Sequence, residues 1–158
     1  MYKRILVPLD GSDLAECVLP HVASISEGCN VMDVVFVRVV EPVEIHSGGD
    51  LGGSFRLTDE QMKEVESSQR TAAEEYLDKV ASQMKQKGVI THSKILLGKV
   101  ADTISNYASN NEVDLIIIAT HGRTGVSRWV WGSSADRVLR SSCVPVLMVR
   151  APGCVSGI

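Results

Sequence analysis

The stretch VDLIIIATHGRTGVSRWVWGSS, residues 113–134, changes character abruptly after Thr120. Its first eight residues are mostly apolar and rich in isoleucine, which is typical of a β-strand covered on both faces. The polar residues that follow include Gly122, Gly125 and Gly132. The pattern predicts a buried strand, then a glycine-rich loop, and then a helix that begins within GSSADRVLR, residues 132–140.

Short apolar runs of this kind recur along the chain and alternate with stretches of helical spacing. The predicted strands are residues 4–10, 32–40, 92–98, 113–120 and 144–150. Regular alternation of strand and helix predicts an α/β fold with a parallel sheet and helices on both faces. The length of the chain favours a single domain, which we assign to residues 1–150, with residues 151–158 as a flexible C-terminal tail.

Two of the helical stretches carry recognisable ends. The first opens with Ser12, a good N-cap, and the spacing places His21 on its apolar face as a packed residue. Pro20 lies inside this stretch and predicts a kink or an early end. The second stretch begins at Thr58 with a pattern resembling a capping box, and it ends at Gly88, which is typical of a glycine C-cap.

The segment Glu41–Glu60 interrupts the alternation. It carries four glycines and is longer than most connections within a domain. Two interpretations remain open for it: a mobile lid near a binding site, or a disordered insertion at the surface.

Composition narrows the classes of function. The net charge of -3 provides no basic surface for nucleic acid, and the aromatic fraction of 4% does not favour base stacking. The four cysteines form no C-x-x-C pair, so zinc binding and thioredoxin-like chemistry are not indicated. No apolar run is long enough to predict a membrane span. We expect a cytoplasmic protein with reduced cysteines.

Two loops follow strands at the edge of the sheet where open α/β folds bind ligands. In LDGSD, residues 9–13, Asp10 either accepts hydrogen bonds from a ribose or an adenine, or caps the first helix while Gly11 makes the turn. In the second loop, Gly132, Ser133 and Ser134 begin a helix whose free N–H groups are suited to an anion. Arg123 adds a positive charge there. The alternative is a simple glycine turn with a serine cap.

Other nucleotide and hydrolase motifs are absent from the sequence. Gly98-Lys99 is followed by Val100, so no Walker loop forms, and there is no G-x-G-x-x-G or G-x-S-x-G. No nucleophile with a positioned base is apparent, so the sequence does not indicate an efficient enzyme.

Residues 2–150 resemble the universal stress protein family. The resemblance rests on RILVPLDGS, on FVRVVE, on DLIIIATHGRTG and on WGSSADRVLRSSCVPVLMVR. The ATP-binding subgroup of that family has two glycines three positions apart, then nine residues, then glycine with serine or threonine. Here these positions are Ala119, Gly122, Gly132 and Ser133, so alanine replaces the first glycine.

The resemblance implies a Rossmann-like sheet of five parallel strands in the order 3-2-1-4-5. It implies ATP as the ligand, with Mg²⁺ or Mn²⁺, and a homodimer formed through the last strand by Val144, Val146 and Met148. It implies a nucleotide site formed by Pro8, Leu9, Asp10, Val39, Ile118, Ala119, Gly122, Arg123, Gly132, Ser133 and Ser134.

The leading hypothesis is an ATP-binding protein that acts as a nucleotide-dependent regulator or sensor in the stress response. One alternative is a slow ATPase on the same fold. Another is a dimeric interaction module that does not bind ATP, because part of the family lacks the glycine pattern. An unknown protein partner is expected in either case.

Overall fold

A computed structural model of the chain describes residues 2–42, 58–120 and 133–150, apart from the side chains of Asp59 and Ser133. Within these residues, five parallel strands form one sheet in the order β3-β2-β1-β4-β5, as the resemblance implied. The strands are β1 (Arg4–Pro8), β2 (Asp33–Val40), β3 (Thr91–Leu97), β4 (Leu115–Thr120) and β5 (Val146–Arg150).

Helices cover both faces of the sheet. The four helices are α1 (Leu19–Cys29), α2 (Asp59–Gln86), α3 (Val100–Asn110) and α4 (Ser133–Ser141). The first two bury Val22 and Leu77 against the face of the sheet that presents Ile5 and Phe36. The other two pack their apolar sides against the opposite face. All six residues of β4 are buried, which confirms that its continuous apolar run reflects burial on both faces.

The first helix differs from the prediction. Ser12 Oγ accepts a hydrogen bond from the Ala15 N–H at 3.2 Å, but the N-cap position of the first helical turn is Leu14 and not Ser12. That turn is a separate 3₁₀-helix, Ala15–Val18, and α1 begins only at Leu19. Pro20 therefore lies in the first turn of a helix, where its missing N–H costs nothing, and not at a kink.

His21 was predicted to be packed and is instead exposed. A 3₁₀-helix has about three residues per turn where an α-helix has about 3.6, so the 3₁₀ turn rotates the following side chains out of the spacing counted from Leu14. The helical face predicted across this junction was consequently wrong for His21.

The second helix matches its predicted ends closely. Thr58 Oγ1 accepts from the Gln61 N–H at 3.3 Å, and the Thr58 N–H donates to Gln61 Oε1 at 2.9 Å, so the capping box is complete. Gly88, just beyond the helix, has a φ of +81°. The predicted loop Glu41–Glu60 is therefore two residues too long, because Asp59 and Glu60 belong to α2. Residues 43–57 lie outside the described residues, as does the predicted tail, 151–158.

Charged groups close the amino edge of the sheet. The guanidinium of Arg4 donates to Asp33 Oδ2 on the neighbouring strand and to the Asn111 carbonyl oxygen beyond the end of α3, both at 2.8 Å. Asp114, just before β4, accepts from the N–H groups of Lys3 and Arg4 at 2.7 and 2.9 Å. These bonds align β1 with its neighbours and leave the opposite, carboxyl edge for ligands.

No helix in the described ranges is both long and apolar enough to cross a membrane.

Gly98, between β3 and α3, is expected to tolerate no side chain. Its φ is +134°, and an added Cβ would lie 2.7 Å from Thr103 Oγ1. Gly98→Ala should lower the free energy of unfolding by about 1–3 kcal/mol, measured by urea denaturation. Gly28→Ala is the matched control, because a Cβ there meets nothing within 4 Å in α1. It should raise stability by about 0.5–1 kcal/mol. Equal stability of the two variants would contradict this account.

The Asp114 carboxylate is expected to make stability depend on pH. Its hydrogen bonds from the Arg4 and Lys3 N–H groups hold its pKa below the ordinary value of 3.8. A lowered folded-state pKa stabilises the fold above the unfolded-state pKa, and that stability is lost as the pH falls through the folded value. Asp114→Asn should therefore be less stable than the wild type near about pH 7, and the difference should shrink as the pH falls through the lowered folded-state pKa of Asp114.

Urea unfolding at several pH values checks this expectation, with Asp78→Asn on the exposed side of α2 as control. The control should stay within about 0.5 kcal/mol of the wild type. A stability deficit of Asp114→Asn that is the same at every pH would argue against the carboxylate as its source.

Candidate functional site

The order of the sheet defines a ligand position at its carboxyl edge. β1 pairs with β2 on one side and with β4 on the other, and the helices that follow β1 and β4 lie on opposite faces. From these two neighbouring strands the chain therefore continues to helices on opposite faces of the sheet. Open α/β sheets bind ligands in the crevice that such a divergence creates.

Asp10 stands at this point, immediately after β1. Its Oδ1 accepts hydrogen bonds from the Ser12 N–H at 2.9 Å and from the Ser12 hydroxyl at 2.6 Å. Gly11 makes the turn with a φ of +87°. Asp10 is not the cap of the first helix, because the N-cap residues of the 3₁₀-helix and of α1 are Leu14 and Val18. Asp10 is exposed, so an ordered turn presents a carboxylate to solvent at the switch point of the sheet.

The predicted contacts on β1 and β2 are less exposed. Pro8 and Leu9 are buried, and the Leu9 N–H donates to the Val37 carbonyl oxygen at 2.9 Å. Val39, near the end of β2, is half-buried against the side of the sheet covered by α3 and α4. Leu9 belongs to the core under α1 and α2 and Val39 packs on the opposite face, and Val39 is the most accessible side chain of the three.

A cluster of polar side chains behind the Asp10 turn was not predicted from the sequence. Arg38 of β2 places its guanidinium against Gly11 and 5.9 Å from the centre of the Tyr76 ring of α2. Burial raises the pKa of Tyr76, and the negative charge of the nearby Glu16 raises it further. The Tyr76 hydroxyl is buried. Within the described residues it has no hydrogen-bond partner, and Glu16, although near, does not reach hydrogen-bond geometry with it. The only sequence signal was an arginine inside the apolar run DVVFVRVV.

The predicted phosphate side of the site begins where α4 begins. That helix starts at Ser133, as expected, and Ser134 is exposed in its first turn. The predicted contacts Gly122, Arg123 and Gly132 lie outside the described residues, and so does the side chain of Ser133. Of the predicted site, the structure therefore describes Pro8, Leu9, Asp10, Val39, Ile118, Ala119 and Ser134, and the assignment of these residues to a nucleotide stays a prediction.

A comparison with protein families decides the classification. The model of the universal stress protein family matches residues 1–150. The chain belongs to the universal stress protein family.

Individual relatives agree with this assignment. The universal stress protein MJ0531 of Methanocaldococcus jannaschii is 34% identical over 152 residues, which cover 96% of this chain and 84% of that protein. The solved structure of MJ0577 from the same organism has a TM-score of 0.79 at 26% identity, covering 97% of this chain and 99% of that one. The Archaeoglobus fulgidus universal stress protein, solved in complex with dAMP, has a TM-score of 0.61 at 25% identity, covering 93% and 97%.

The departure of this universal stress protein from the glycine pattern falls inside a strand. Ala119 lies in β4, paired with Val149, and is 8% exposed. The non-glycine residues with positive φ in the described structure are Asn30 and Glu112, so Ala119 does not need a glycine conformation. Ile118 and Ala119 point into opposite cores. Their predicted contact with a ligand is therefore restricted to the backbone and a narrow exposed edge.

No group of three or more His, Cys, Asp and Glu side chains suited to a metal occurs within residues 2–42, 58–120 and 133–150. This finding does not bear on a cation carried by a nucleotide. Mg²⁺ commonly keeps several waters and takes phosphate oxygens together with one or two carboxylates.

Proposed function

We propose that this universal stress protein binds an adenine nucleotide, with ATP as the leading candidate, and acts as a nucleotide-dependent regulator in the stress response. The observation that carries the proposal is the exposed Asp10 carboxylate, held in an ordered turn where the order of the sheet reverses. An acceptor fixed in this way suits the hydroxyls of a ribose or the amino group of an adenine.

The base and the ribose are assigned to the carboxyl ends of the central strands. Pro8, Leu9 and Asp10 supply one wall, Val39 supplies the apolar surface beside it, and Ile118 with Ala119 completes the pocket. The complex of the A. fulgidus relative with dAMP supports an adenine nucleotide as the class of ligand. The sugar of dAMP has a 3′-hydroxyl and no 2′-hydroxyl.

The phosphates are assigned to the start of α4. The first turn of a helix has unpaired N–H groups and a partial positive charge, which suit an anion even on a protein of net charge -3. Ser133 and Ser134 lie in this turn, and Gly122, Arg123 and Gly132 are assigned to the same group. Mg²⁺ or Mn²⁺ is assigned to the triphosphate, with no protein ligand specified.

The nucleotide proposal is tested by calorimetric titration of ATP with magnesium into nucleotide-free protein. Asp10→Ala should weaken binding by about 10- to 100-fold, because it removes hydrogen bonds to a charged acceptor. Gly132→Val should also weaken binding. Asp13→Ala is the matched control, since it removes an exposed carboxylate from the same loop, and its affinity should equal that of the wild type.

Four further results test the ligand and the alternatives to ATP binding. Parallel titrations with ADP, AMP and cyclic AMP identify the preferred phosphate group. Ala119→Gly should bind as the wild type does, since the residue lies in extended backbone. Phosphate release on the timescale of the titration would favour the slow ATPase, and the absence of any saturable heat would favour an interaction module that binds no nucleotide.

We also propose a homodimer through the last strand. β5 pairs with β4 on one side, and its Val146 and Met148 are only partly buried, as is Val144 just before it. Leu147, on the other face of the strand, is 36% exposed. An apolar edge strand is prone to pair with another chain, and a symmetric partner covers it.

Light scattering coupled to size-exclusion chromatography tests the dimer. Leu147→Lys and Met148→Lys should each give a monomer, because both place a charge in the proposed interface. Leu97→Lys on β3, at the opposite edge of the sheet, is the control and should remain dimeric. A wild-type monomer, or a dimer lost only in the Leu97 variant, would refute the β5 interface.

A further inference from the structure

Arg38 is the one charged residue of β2 beyond the first position of that strand. The run Val34–Val37 before it is buried, and Arg38 itself is half-buried. Side chains alternate along a strand, so Arg38 lies on the same face as Phe36, under α1 and α2, while Val39 faces the other core. Burying part of a charged group is unfavourable unless neighbouring groups compensate the charge, so the surroundings of Arg38 are of interest.

The guanidinium of Arg38 lies flat against the turn that presents Asp10. A Cβ built on Gly11 would lie 3.0 Å from Nη1, 3.2 Å from Cζ and 3.4 Å from Nη2 of Arg38. These similar distances place the plane of the guanidinium across the open side of Gly11. The φ of +87° favours glycine at position 11, and a side chain there would also push the Arg38 guanidinium away from the turn.

Tyr76 supports the guanidinium from α2. Its ring centre is 5.9 Å from Arg38 Cζ, which is within the range of cation–π attraction. After burial, the charges of Glu16 and then of Asp10 raise the pKa of Tyr76, while Arg38 lowers it. Arg38 thus lies between Gly11 of the loop after β1 and Tyr76 of α2.

We propose that Arg38 is a positioning residue for the ribose of the bound nucleotide. Its guanidinium supports Gly11 from behind and so holds the turn in the conformation that presents the Asp10 carboxylate. This inference rests on the proposed nucleotide binding, and it assigns to Arg38 an effect on recognition of the sugar that is transmitted through Asp10. Arg38 itself does not touch the ligand.

The test compares ATP with 2′,3′-dideoxy-ATP, which lacks the sugar hydroxyls. The wild type should prefer ATP by about tenfold, the value of hydrogen bonds to a charged acceptor. Arg38→Met keeps the length of the side chain but loses its charge and its plane. This variant should bind ATP about tenfold more weakly than the wild type, and its affinity for dideoxy-ATP should stay within about twofold of the wild-type value. The preference for ATP is then lost, as it is in Asp10→Ala. A general loss of structure would weaken both nucleotides equally.

Matched variants isolate the contact. Tyr76→Phe keeps the ring and removes only the enclosed hydroxyl, so the preference for ATP should be unchanged. Arg70→Met makes the same chemical change at an exposed arginine of α2 that pairs with Glu74, and it should also have no effect. Arg38→Lys keeps the charge without the planar group and should lose the preference as Arg38→Met does, which serves if the methionine variant does not fold.

The double variant Asp10→Ala with Arg38→Met completes the cycle. Because Arg38 acts through Asp10, the double variant should show the same preference for ATP over dideoxy-ATP as Asp10→Ala alone. An Arg38→Met protein that keeps the wild-type preference, or that weakens both nucleotides equally, would overturn the role of Arg38 while leaving nucleotide binding intact. A wild type that binds neither nucleotide would instead refute the proposed function, and this inference with it.

Discussion

The pairing of β1 with both β2 and β4 is the constraint on which the rest of this structure depends. β1 is the central strand, and Ile5, Leu6 and Val7 are fully buried between the two helical layers. The chain extends from β1 through β2 to β3 on one side and returns to β4 and β5 on the other. The helices that follow β1 and β4 therefore lie on opposite faces, and we assign the ligand to the position where the strand order reverses.

The two edges of the sheet have different chemistry because of this arrangement. At the amino edge, the Arg4 guanidinium donates to Asp33, and Asp114 accepts from the backbone N–H groups of Lys3 and Arg4. The charged groups there are therefore used to join neighbouring strands. At the carboxyl edge, the turn at Asp10 is supported by Gly11 and Arg38 but keeps its carboxylate exposed. The protein therefore separates the charges that align the strands from the charge that we assign to ligand recognition.

Local patterns predicted the elements well where a single physical cause dominated. Burial on both faces leaves few polar positions in a strand. The apolar runs therefore located all five strands, and no predicted strand end is more than two residues from the observed one. The last strand begins at Val146 and not at Val144, because the Val144 N–H donates to the Ser142 hydroxyl in a turn before the strand. The first helix was misjudged because a 3₁₀ turn before Pro20 breaks the 3.6-residue period.

The sequence by itself determined the parallel α/β fold, the family, the capping box of α2 and the identity of Asp10 as the candidate acceptor. Each of these is carried by residues close together in the chain, whose spacing reflects one element or one turn. Only the tertiary structure decided that Ala119 pairs with Val149 and that Arg38 contacts Gly11 and lies beside the ring of Tyr76. Those relations join segments far apart in sequence, and their geometry depends on the register and layering of the whole sheet.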